Sequence, residues 1–110
     1  MRLVQAKDAQ NTANPHGVQA QALHSTEHVQ ATLITLQPGQ ALKTHTTPVD
    51  ALFYGLEGVG IVEIGDERET MTADTLVHSP KGIPHRLLNE GDQVFRFLVI
   101  KTPGARPANG

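Results

Sequence analysis

The chain of 110 residues contains no cysteine, so neither disulfides nor thiolate metal centres contribute to its fold. It has no run of Lys or Arg, and its formal net charge is −2 with histidines neutral. It therefore lacks the basic footprint that a phosphate backbone requires, and nucleic acid is not expected as a partner. No apolar run approaches the roughly 18 residues of a membrane-crossing helix, and the N-terminal MRLVQAKDAQ carries no signal-like apolar stretch. These absences predict a cytoplasmic protein with no membrane partner. A convincing helical pattern is missing too, and the length allows one domain with a modest core.

What is present is a succession of short β patterns. Residues 5–28 are rich in Gln, Ala, Asn and His, and 1–28 read as an N-terminal arm or edge strand. The barrel is expected over 29–102, and the loose Thr, Pro, Gly, Ala and Asn composition of 103–110 reads as a flexible tail. Val29 to Leu36 form a β-branched and aliphatic strand pattern closed by Pro38-Gly39. A short strand carrying Lys43, His45 and Thr47 follows, then one with Ala51, Phe53 and Gly55 on a common face. Gly58 and Gly60 precede Ile61 to Ile64, and Gly65-Asp66 marks a hairpin corner before the polar return Glu67 to Thr70. Thr75 to Ser79 meets a corner set by Pro80 and Pro84, His85 to Asn89 form the next strand, and Val94 to Ile100 the last. Many short strands without helices mean an antiparallel sandwich or barrel.

Two spacings sharpen this. Gly39 is followed by five residues and His45, one more and Thr47, three more and Ala51, six more and Gly58. Further on, Asp74, Pro80, Gly82, His85 and Asn89 are separated by five, one, two and three residues. The pair resembles the two motifs of the cupin superfamily, whose first motif is Gly, His, His, Glu, Gly and whose second is Gly, Pro, Gly, His, Asn at these separations. The resemblance spans Gly39 to Asn89, about half the chain, and is similar to that of a small single-domain cupin. It departs at Thr47, Ala51 and Asp74, which stand where the motifs have His, Glu and Gly.

The resemblance implies an all-β, double-stranded antiparallel β-helix or jelly-roll barrel. It also implies that His45 and His85, two of four family ligand positions, face each other inside it. Imidazoles are common ligands of divalent metals, but a mononuclear site usually needs three or four donors. Thr47 is a poor donor and Ala51 is none. Asp50 lies one residue from the missing Glu, and a one-residue offset on a strand turns a side chain to the other face. His78 faces either the cavity or the outside. Inward, it completes a three-nitrogen site for one divalent ion (Zn, Fe, Mn or Ni). The alternative is that all three are ordinary barrel residues in a member without metal. His16, His24 and His28 lack ligand-like spacing and read as exposed.

Small residues on one side of the cavity make room for a small organic ligand or substrate, with Thr47, Ala51, Phe53 and Gly55 as its expected lining. Large neighbours such as Phe53, Phe95 or Phe97 filling that space is the other outcome. Tyr54 reads as a sheet or subunit contact, and Arg86 and Arg96 as solvated or interface charges. Three functions remain open: a metal-dependent or His-assisted enzyme acting on a small organic molecule, a non-catalytic ligand-binding protein with a degenerate, metal-free site, and a structural dimer whose site is vestigial. Edge strands and the apolar outer residues Leu52, Tyr54 and Leu56 suggest a homodimer, which the family resemblance also implies.

Overall fold

Alternation of inward apolar and outward polar side chains builds two facing antiparallel sheets in the computed structural model, which describes residues 1–103. The strands are Gln19–Ser25 (β1), Gln30–Leu36 (β2), Asp50–Glu57 (β3), Gly60–Ile64 (β4), Glu67–Met71 (β5), Leu76–Ser79 (β6), His85–Leu88 (β7) and Phe95–Thr102 (β8). One sheet runs β1-β2-β8-β3-β6 and the other β5-β4-β7, the jelly-roll architecture expected. The single helical turn among the described residues, Ala6–Asp8, is 3-10. No described helix is long and apolar enough to cross a membrane. Positions 104–110, most of the expected tail, lie outside the described residues.

The core lies between the sheets. Ala20 of β1, Ile34 and Leu36 of β2, Ala51 and Phe53 of β3, and Phe95 and Phe97 of β8 pack against Val62, Met71 and Leu87 of the second sheet. Registers of Phe53 with Val99 and of Ala51 with Lys101 continue the same inner row, so residues 95, 97, 99 and 101 share a face. Tyr54 and Leu52 point the other way, and the Tyr54 hydroxyl donates to Asp74 Oδ1 at 3.0 Å. Arg86 and Arg96 are half-buried in ion pairs rather than free: Arg86 Nε meets Glu63 Oε1 at 2.6 Å, and Arg96 Nη1 meets Glu57 Oε1 at 3.2 Å. Arg68 joins Glu63 to Glu90 on the three-stranded sheet that also carries Arg86.

The N-terminal arm is folded onto its own chain. β1 forms the edge of the larger sheet beside β2, and Gln21 Nε2 donates to the carbonyls of Ala6 and Ala9 at 2.6 and 2.9 Å, tying the 3-10 turn to that edge. The β4–β5 hairpin turns at Gly65-Asp66 with φ 60° at Gly65, as a two-residue loop of primed type requires. Asp74, where the motif has glycine, adopts φ 61°. Aspartate tolerates this left-handed region better than most residues. Its amide donates to the Gly55 carbonyl at 2.9 Å.

The segment expected to form a strand through Lys43, His45 and Thr47 is extended but not a continuous strand; it touches β7 only through the bridges Ala41–Leu88 and His45–His85. Four steps along this segment oppose three along β7, so it carries one extra residue, the signature of a bulge. Gly55 also differs from expectation. A Cβ there would sit 2.2 Å from the Thr72 carbonyl oxygen, so the position is small because backbone crosses it. Substituting Gly55→Ala should therefore destabilise the protein by about 1–3 kcal/mol, read as a lower urea midpoint with an unchanged slope. An unchanged midpoint would refute that account.

Candidate functional site

His45 and His85 are brought together by backbone pairing. The His45 amide donates to the His85 carbonyl at 3.1 Å and the His85 amide returns the bond at 2.9 Å. Their rings meet edge to face with centroids 4.7 Å apart, and Phe53 lies 5.2 Å from the His85 ring. A third imidazole arrives from the N-terminal arm. Asn14 folds the turn, accepting from the amides of His16 and Val18 at 3.1 and 3.4 Å, and places the His16 ring 5.1 Å from His45. His16 is thus part of the site, although its position in a polar, aperiodic stretch reads as exposed.

These rings open into a cavity of about 390 Å³ at the barrel mouth. Its walls are Ala20, Ala22, Ile34, Leu42, Phe53 and Val99, and its polar groups include Thr12, Asn14, Thr32, His16, His45, His85 and Lys101. Of the expected lining residues, only Phe53 borders it. Thr47 is buried with its hydroxyl donated to the Val49 carbonyl at 2.7 Å, Ala51 is fully buried within the sheet, and Gly55 abuts the Thr72 backbone. The free space therefore lies toward β1 and the arm rather than beside the small residues of β3. Lys101 is legible from the alternation that runs through Phe95, Phe97 and Val99; His16 carries no comparable signal.

His78 does not join the cluster. It pairs with Leu52 in the β3–β6 register and so faces outward, its side chain 55% exposed and 3.8 Å from Asp50 Oδ1. Asp50 is likewise outside, accepting from the Lys81 amide at 2.9 Å.

Hydrogen-bond geometry assigns the tautomers of His16 and His45. The Lys43 amide donates to His16 Nδ1 at 2.7 Å, so neutral His16 carries its proton on Nε2 and offers a donor there. His45 Nδ1 lies 3.0 Å from the Lys43 carbonyl, which can only accept, so His45 Nε2 is left as an acceptor. His85 Nδ1 shares a 2.7 Å bond with the buried Ser79 hydroxyl. Burial, then the positive charge of a protonated His45 and of Lys101, pushes the His85 pKa down to about 4. Burial chiefly, with His45, Lys43 and Lys101, lowers His16 as well.

This donor set does not fit a resident divalent ion. It offers one imidazole nitrogen free to ligate, His45 Nε2, a His85 ring engaged by Ser79, a His16 ring that presents N–H, no carboxylate, and an ammonium in the same wall. Among the described residues no cluster of three or more His, Cys, Asp or Glu has the geometry to hold a metal.

A family model described as Cupin domain matches residues 32–101. Among solved structures, TT1209 from Thermus thermophilus is 29% identical with a TM-score of 0.81, over 94% of this chain and 98% of that one. An RmlC-like cupin from Shewanella frigidimarina is 15% identical with a TM-score of 0.83, covering 94% and 92% of the two chains. A predicted oxalate decarboxylase from Thermotoga maritima is 19% identical with a TM-score of 0.83, covering 93% and 99%. The last two likenesses show the fold alone. No curated protein matches the chain.

Because His85 titrates near 4 in the folded protein against an ordinary value of 6.5, the unfolded chain binds the extra proton between these values. Stability should be full above pH 6.5 and fall on acidification toward pH 4, with His85 contributing a loss of about 3 kcal/mol. Urea unfolding from pH 7 to 4 should show a shallower decline in His85→Asn than in the native chain; identical declines would remove His85 as the source.

Proposed function

Since the chain belongs to the cupin domain family, we propose that it binds a small organic molecule at the barrel mouth through imidazoles rather than through a metal ion. The observation that carries this reading is the meeting of His16, His45 and His85 at one cavity of about 390 Å³ whose wall also carries Ala20, Ala22, Ile34, Leu42, Phe53 and Val99. That volume lies at the small end of the range of ligand sites, about 300–1,000 Å³, and a few convergent polar groups in an apolar wall are their usual composition. Binding restricted to the folded state should raise the melting temperature in a screen of small organic molecules. The His45→Ala, His85→Ala double variant should lose that rise. A screen without any hit in the native protein, or hits retained in the variant, would count against the reading.

A second reading, that the site turns its ligand over, is favoured by the contrast between the imidazoles. His45 Nε2 supplies an acceptor with base character, while His16 presents an N–H to the same space. That is the equipment for moving a proton between two atoms of a bound molecule. Turnover of a screened ligand, lost in His45→Asn while binding persists, would establish catalysis. Metal dependence is tested directly. Untagged protein incubated with Mn, Fe, Ni and Zn salts should retain well under one equivalent by elemental analysis. Near-stoichiometric metal that disappears in the double histidine variant would overturn the metal-free assignment.

The homodimer belongs to the same proposal. The outer face of the five-stranded sheet carries Leu52, Tyr54, Leu98 and Ile100, half-buried, beside Leu76 at 59% exposure. Apolar side chains on one sheet face suit a two-fold contact between copies. Sedimentation should give a dimer at micromolar concentration and a lighter species for Leu76→Lys; a native monomer would refute it.

A further inference from the structure

Lys101 occupies an inner-face position of β8, directly opposite Ala51 of β3. It lines the cavity together with His16, His45 and His85. Position 51 is where the family motif has Glu, and a glutamate there would lie on the neighbouring strand within reach of the ammonium. With alanine in its place, Lys101 has no carboxylate partner among the described residues, and the cavity lining contains no Asp or Glu. An ammonium lining a cavity that contains no carboxylate is a ready complement for an anionic ligand.

We infer that the cavity takes a small monocarboxylate with an apolar body, its carboxylate paired with Lys101 and accepting from the Nε2–H of His16. This rests on the proposed small-molecule site and names its ligand class. The sign follows from the side chains present: one ammonium in the lining and, at neutral pH, imidazoles of which two are held toward the neutral form. One full positive charge matches a monoanion better than a phosphate dianion. The apolar character of Ala20, Ala22, Ile34, Leu42 and Val99 matches a hydrocarbon body rather than a polyhydroxylated one. Lys43, exposed at the rim, adds positive potential in the same direction, since it acts on His16 together with Lys101.

The test compares charged and neutral probes of one shape. Benzoate and benzamide, hexanoate and hexanamide, and inorganic phosphate are titrated into the labelled full chain at low salt and followed by amide chemical shifts. Benzoate and hexanoate should bind at least tenfold more tightly than their amides, phosphate should bind more weakly than either acid, and perturbations should centre on β1, His16, His85 and Lys101. Lys101→Gln should collapse the acid-to-amide ratio toward one, and Lys101→Arg should restore a preference for the acid. A native-like spectrum for both variants establishes that they fold. Equal binding of acids and amides, or a ratio unchanged in Lys101→Gln, overturns the carboxylate assignment while leaving the small-molecule site standing. Binding of phosphate in preference to both acids overturns the monocarboxylate as well. The absence of any perturbation at the cavity by all five probes counts against both the assignment and the site beneath it.

Discussion

The peptide groups of Lys43 hold the two imidazoles that would otherwise be independent. Its amide is spent on His16 Nδ1 and its carbonyl receives His45 Nδ1. Both groups are free for this because the segment carries one residue more than the β7 strand it faces, so Lys43 stands at the bulge instead of in a ladder. On either side of the bulge the pairing resumes: Leu42 with Leu87, His45 with His85, and Gly39 and Gln40 with Asn89. Arm, segment and β7 are therefore bound into one unit. The tautomers of His16 and His45 are consequences of backbone geometry rather than of the side chains' own surroundings.

Position by position, the departures from the family motifs have structural answers. Asp74 takes up the left-handed conformation of the glycine it replaces and supplies an acceptor to Tyr54. Thr47 turns its hydroxyl back on the Val49 carbonyl, a short-range bond that a histidine ring would not make in the same place. Ala51 sits between Ser79 and Lys101 in the sheet and leaves each to another task, Ser79 to orient His85 and Lys101 to charge the cavity. Asn89, which matches the motif, is buried and fully engaged, donating to the carbonyls of Leu36 and Gln93 and accepting from the Gly91 amide. Its role is to close the loop after β7 onto β2.

How far these features can be read in advance depends on what kind of interaction produces them. Strands from Val29 onward and the Gly65-Asp66 hairpin follow from local pattern, which is one-dimensional, whereas the facing of His45 and His85 is what the resemblance to the cupin motifs implies and no local pattern shows. The extended segment around Lys43 escapes because a bulge changes the period without changing composition. His16 escapes because its place is set by Asn14 and by a backbone amide 27 residues away, neither of which leaves a periodic trace. His78 is undecided by pattern because its strand is only four residues long, and its face is fixed by the pairing with β3. Gly55 misleads for a related reason: a missing side chain looks the same in a sequence whether ligand or backbone fills the space.

The wall formed by Thr12, Asn14, Pro15 and His16 is of a different kind from the rest of the cavity, because it belongs to a connection before β1 and not to either sheet. Strand residues facing the cavity also hold the two sheets together, so altering them trades shape against folding. The arm is held by a few polar bonds instead, the Thr12 amide to the Ala20 carbonyl and the Lys43 amide to His16 Nδ1. Its length and composition can drift through insertion or replacement while the barrel stays intact, as long as the imidazole still meets the Lys43 amide. Editing a handful of residues ahead of the first strand would thus reshape the mouth of the cavity while leaving the packing of one sheet against the other as it is.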